Sequence, residues 1–154
     1  MSIHKKFIAF LFAFWAGLIS AISFLEAWLK FRANGVTREI GLSIGSLVFT
    51  VLNRIELLIL LIVWVLFFQT YRKRVFSLSS HRIMFWLLNI ILLMQSLWLL
   101  PQLLQRAEQI IAGDRPSGSA VHLIFILFET SKLVLLIALS FKVLNNNEKF
   151  LSQK

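Results

Sequence analysis

The chain contains no cysteine, which removes disulfides, thiolate metal sites and thiol nucleophiles from consideration. Acidic residues are scarce, 7 against 16 lysines and arginines, and the net charge is +9. Charge is missing altogether between Arg82 and Arg106. Also missing is any polar stretch long enough to form a soluble domain. What remains is 58% hydrophobic over 154 residues, with a mean hydropathy of +0.81. A water-soluble fold of this size keeps a large exposed fraction and could not hide that much apolar surface. Lipid must solvate much of it.

An excess of positive charge can mean nucleic acid, but its placement here points elsewhere. Basic residues sit at the ends of apolar segments, as in His4-Lys5-Lys6, Tyr71-Arg72-Lys73-Arg74 and Lys149. Cationic flanks of membrane spans look like this, and their partners are anionic lipid head groups. No basic face with interleaved aromatics and no nucleic-acid motif is present, so nucleic acid is excluded as a partner.

Four spans are expected, near residues 7–29, 50–71, 83–104 and 120–144, forming a single all-α, integral membrane four-helix bundle of up-down topology. The first apolar run exceeds the roughly 7–15 residues of a signal-peptide core and is expected to be retained. In it Ala13, Gly17 and Ala21 recur every fourth residue, a stripe against which another helix could pack closely. Glu26 lies near its far end. The simpler reading pairs Glu26 with water or Lys30; the sharper one makes it a buried partner for Arg54. Asn34-Gly35 marks a turn, and Thr37 is the expected N-cap of a long or kinked second helix. Residues 38–53 read as an amphipathic approach with Gly41-x-x-x-Gly45 available for helix packing. This puts Arg54 and Glu56 in the outer third of the bilayer, where with Glu26 they form an outer-leaflet charged group. Pro101 should bend the third span and free a carbonyl near Leu97. An exposed extension then runs to Gly113.

Lysines and arginines divide unequally between the two sides. Nine fall with the termini and the 71–82 loop (Lys5, Lys6, Arg72, Lys73, Arg74, Arg82, Lys142, Lys149, Lys154) and five on the other side (Lys30, Arg32, Arg38, Arg106, Arg115). The positive-inside rule then places both termini in the cytoplasm, in a plasma (bacterial inner) membrane.

The fourth span is the most informative. Between Val121 and Phe141 there are 14 Leu, Ile, Val and Phe residues, worth roughly −4 to −8 kcal/mol on insertion. Glu129 and Lys132 at its centre together cost about +5 to +7 kcal/mol. The balance is near zero before the two neutralise each other across three residues of one helical face. His122, Glu129, Lys132 and Ser140 share roughly one side, which must avoid lipid. Gln95 and Ser96 of the third span reach a similar depth. An intramembrane polar cluster of Glu129, Lys132, Gln95 and Ser96 is therefore the candidate site.

No cofactor is expected. His81 and His122 fall about a bilayer apart and cannot share a haem, and no carboxylate–histidine cluster has metal-ligand spacing. No nucleophile-and-base pattern is visible, so the chain does not read as an enzyme.

Phe14-Trp15-Ala16-Gly17, then Arg38…Gly41-x-x-x-Gly45…Phe49, then Pro101…Arg106…Glu108…Gly113 and a polar fourth span resemble the four-helix membrane family related to transmembrane protein 205, whose bacterial members are filed as a domain of unknown function. The resemblance implies four-span topology. The chain departs from the family in carrying Glu129 and Lys132 where a histidine or amide would be looked for. The expected role is a non-enzymatic multi-pass membrane component, either transport-related or an assembly subunit with homo-oligomeric or other membrane partners. The alternatives are a proton- or ion-coupled small oligomeric transporter using Glu129 and Lys132, and a lipid-binding or lipid-modifying protein using Arg54, Glu56 and Arg106.

Overall fold

The computed structural model describes residues 3–71, 80–114 and 120–145. Arg72, Lys73, Arg74, Arg115, Lys149 and Lys154, which enter the charge count above, lie outside the described residues. The described residues form helices and turns with no strand. Four helices are long and apolar enough to cross a membrane: α1 (Ile3–Arg32), α2 (Arg38–Tyr71), α3 (Arg82–Ile111) and α4 (Val121–Asn145). Large apolar side chains such as Leu61, Leu97, Leu123 and Val134 are exposed on their outer faces, as expected where lipid is the solvent.

Local chemistry sets the helix ends. Gly35 adopts φ +82° in the turn after α1, a conformation that costs little only without a Cβ. The Thr37 hydroxyl then accepts the Ile40 N–H at 3.3 Å, the expected N-cap. At the end of α3, Gly113 has φ +93°. Its N–H bonds the Ile110 carbonyl at 3.1 Å while the Asp114 N–H reaches the Gln109 carbonyl at 2.9 Å. These two bonds make a Schellman cap. Replacing Gly113 with alanine is expected to cost about 1 kcal/mol through the left-handed backbone, read as a lowered thermal midpoint.

Of the long or kinked alternatives expected for the second helix, the long one is found: α2 runs unbroken for 34 residues, about 51 Å at 1.5 Å per residue, with residues 38–53 continuous with the rest. Its hydroxyls are satisfied along the helix itself: Ser46 donates to the Leu42 carbonyl at 2.9 Å and Thr50 to the Ser46 carbonyl at 2.7 Å.

The small-residue stripes also fall differently from expectation. Ala13, Gly17 and Ala21 are exposed, and a Cβ on Gly17 would meet nothing within 4 Å. Against Gly41 lies the Phe31 ring, and a Cβ on Gly45 would stand 2.9 Å from Lys30 Nζ. The Gly41–Gly45 face thus receives side chains from the end of α1, not a second helix backbone. In lipid an alanine face and a leucine face are nearly equally well solvated, so small size alone does not tell which way a stripe points.

Two π-helical segments interrupt the α-helical hydrogen bonding. One is Gln95–Leu99, just before Pro101 in α3, where the Leu100 N–H bonds back to the Gln95 carbonyl. The proline's missing N–H and the wider turn occur together. The other is Ser20–Glu26 in α1.

The bundle has two unlike halves. Toward the chain ends of α1 and α4 the core is apolar and tightly filled by Ile8, Phe12, Trp15, Ile19, Val63, Phe67, Phe85, Leu88, Leu92, Leu136 and Leu139. Phe67 stacks on Phe85 at 5.2 Å between centroids, and Trp64 packs on both Phe85 and Trp86. One amide sits here with its needs met: Asn89 accepts Trp64 Nε1–H at 2.9 Å and donates to the Phe85 carbonyl. Beyond Trp15 the interior turns polar.

Candidate functional site

Four helices each contribute to one buried ionic cluster. Lys132 of α4 places Nζ 2.6 Å from Glu56 Oε1 of α2 and 2.9 Å from Glu129 Oε1, one turn earlier on α4. All three are interior, at 0%, 2% and 2% exposure for Lys132, Glu56 and Glu129. Around them stand neutral donors. Trp15 Nε1–H of α1 donates to Glu56 Oε1 at 2.8 Å. Gln95 Nε2–H of α3 donates to Glu129 Oε1 at 2.9 Å, and Ser23 Oγ–H of α1 to Glu129 Oε2 at 2.9 Å. Both donors to Glu129 come from the π-helical segments. A π-turn shifts the following side chains around the axis relative to an α-helix, and such turns recur at functional sites.

The residues expected to cluster are placed as follows. Glu129, Lys132 and Gln95 do meet. Ser96 stands one step aside: its hydroxyl donates to the Leu92 carbonyl at 2.8 Å and accepts from Asn53 Nδ2 at 2.7 Å. The outer-leaflet group of Arg54, Glu56 and Glu26 does not assemble. Glu56 is bonded to Lys132 and therefore lies at its depth, near the middle of α2. Arg54 is exposed on another face, and Glu26 pairs with Lys30 at 3.2 Å on its own helix. His122 is exposed and takes no part, whereas Ser140 turns inward and donates to the Ala9 carbonyl at 3.1 Å.

Sequence reasoning grouped Glu56 with Arg54 and Glu26 instead of with Lys132, and it missed Trp15 and Ser23. For Glu56 a signal existed, since it lies three residues after Asn53 and continues the polar stripe of Ser46 and Thr50 by a turn. For Ser23 there was none, because its direction depends on the π-turn.

The electrostatics follow from counting. Two carboxylates face one ammonium, so with all three ionised the cluster carries one net negative charge. A buried ion pair is tolerable when geometry and extra hydrogen bonds offset desolvation, and here each carboxylate has a neutral donor in addition to the ammonium. Trp15→Phe keeps the packing but removes the indole donor from Glu56. It is expected to cost about 1–3 kcal/mol, measurable by thermal denaturation in detergent.

Beside the carboxylates lies a small cavity of about 10 Å³ lined by Phe49, Leu52, Asn53, Glu56, Gln95, Leu100, Phe125 and Glu129. That is room for about one water-sized particle. Phe49 and Phe125 meet edge-on at 5.4 Å as part of its wall. Lys132 is not among the lining residues. One atom on this lining is unsatisfied: Gln95 Oε1 is buried and accepts no hydrogen bond among the described residues.

No family model, curated protein or solved structure matches the chain.

Proposed function

We propose that this is a non-enzymatic integral membrane protein that carries protons or a small monovalent cation across lipid, with Glu129 as the exchanging group. The observation that carries this reading is the charge imbalance of the cluster. Two carboxylates share one ammonium deep inside four apolar helices, and both also face a cavity large enough for one small occupant. An ionisable group inside a membrane protein that faces a cavity is the usual mark of an ion or proton path. Lys132 and Glu56 then serve as fixed countercharges, and Gln95 and Ser23 orient Glu129.

The assembly reading has less support. The charged side chains Glu56, Glu129 and Lys132 that would have drawn in a partner are used within one copy, and most of the large side chains facing outward are apolar. The lipid-head-group reading loses Glu56, which is bonded inside. The proposed orientation has both termini cytoplasmic in an up-and-down bundle, in a plasma membrane. Two hydrogen bonds favour opposite directions for α2 and α3, since Asn53 pairs with Ser96 and the later Trp64 with the earlier Asn89.

The test is reconstitution into vesicles holding a pH-sensitive dye, with an imposed gradient and a potential clamped by potassium and valinomycin. Dye response faster than in protein-free vesicles is expected. A rate equal to theirs would reject the reading.

A further inference from the structure

We infer that the cavity beside Glu129 is a sodium site, in which Glu129, Glu56, Gln95 and Asn53 present oxygen atoms to one dehydrated Na⁺. This deepens the transport reading above and rests on it for the ion's role.

Three observations converge. The first is charge: two carboxylates against one ammonium leave a single negative charge that one monovalent cation cancels, whereas a divalent ion would overshoot. The second is the kind of atom on offer. Glu56 Oε2, Gln95 Oε1 and the Asn53 side-chain oxygen accept no hydrogen bond among the described residues, and all three belong to residues lining the same cavity. An all-oxygen set of carboxylates and amides suits a hard cation. The third is Gln95 itself. It is 1% exposed, its Nε2 is committed to Glu129, and its Oε1 is the unsatisfied atom. A native interior rarely leaves a buried acceptor unpaired. A proton added to a carboxylate would neutralise the cluster but leave the cavity empty; a cation in the cavity cancels the charge and gives the Gln95 oxygen a partner.

Size and surroundings fit as well. The cavity admits one water-sized particle, and bare Na⁺ is smaller than water while bare K⁺ is about as large. Phe49, Leu52, Leu100 and Phe125 supply the apolar remainder of the wall and exclude bulk solvent from the ion. The charged groups around the site are few. Glu56 comes from α2 and Glu129 and Lys132 from α4, α3 offers neutral Gln95 and Ser96, and α1 offers neutral Trp15 and Ser23 together with Lys30, whose ammonium lies 5.5 Å from the centroid of the Phe49 ring and is paired with Glu26. Lys132 is bonded to Oε1 of each carboxylate and does not line the cavity.

The test uses the full chain in detergent at fixed pH and ionic strength, replacing choline chloride stepwise by NaCl or KCl. Sodium is expected to raise the melting temperature saturably, as any ligand of the folded state does, and to a greater extent than potassium. The ²³Na resonance should broaden in the protein's presence. Gln95→Leu, similar in volume but without an acceptor, should weaken apparent sodium affinity by about tenfold or more. Asn53→Ala, outside the ionic cluster, should also weaken it and guards against a folding defect in the first variant. Identical melting in sodium and choline, or an equal response to potassium, would overturn the sodium site. If proton-driven flux persisted in that case, the transport reading would stand with the proton alone as cargo. Sodium binding without any flux would uphold the site and reject transport.

Discussion

Lys132→Met is expected to be the most damaging single substitution in the molecule, lowering stability by about 3–5 kcal/mol. Methionine fills similar volume, so packing changes little. The loss is electrostatic: Glu56 and Glu129, both bonded to Lys132 Nζ within 2.9 Å, would face each other with no countercharge in a low-dielectric interior. Thermal denaturation in detergent measures it. The cause is separable from general core damage because it predicts rescue. Adding Glu56→Gln and Glu129→Gln to Lys132→Met removes every charge while keeping polar atoms for Trp15, Ser23 and Gln95, and a fully neutral cluster is often as stable as the ionic one it replaces. A melting temperature for Lys132→Met close to that of the parent, or no recovery in the triple variant, would show that the three groups are not one electrostatic unit.

Glu129→Gln should move stability and function in opposite directions. The amide keeps the carboxylate's shape, its oxygen can still accept from Gln95 and Lys132, and its NH₂ can donate to Ser23 Oγ, 2.9 Å from the present Oε2. The remaining Lys132–Glu56 pair is then balanced, so the melting temperature should hold or rise. Flux in reconstituted vesicles should fall to the protein-free rate, because the group that gains and loses charge is gone. Undiminished flux in this variant would remove Glu129 from the transport path. A variant that unfolded would instead contradict the charge count.

Much of the architecture could be read from the chain because lipid simplifies the problem: a helix must be long enough and apolar enough, and four segments were. Thr37 and Gly113 were legible for a different reason, since a cap depends on residue type and the immediate backbone. Glu129, Lys132 and Gln95 were found because charged or amide groups in an apolar run have few places to go. Glu56 was misplaced because a bilayer of about 30 Å was laid against an apparently too-long helix, and the excess was assigned to one end. α2 instead keeps its full length and puts Glu56 near its middle. The direction of the small-residue stripes and of Ser23 was not legible: the first depends on which lipid-compatible face finds a neighbour, and the second on a π-turn with no proline beneath it.

The filled aromatic half of the bundle has a consequence for the resting membrane. Phe12, Val63, Leu88, Leu92 and Leu136 are 0% exposed and meet across all four helices, closing the route from the polar chamber toward the chain termini. An ion bound in the cavity would find this filled layer between itself and the termini. On the proposed transport reading this conformation insulates: a charge held in the cavity is barred from the opposite face, and discharge there would require Trp64, Phe67 and Phe85 to part.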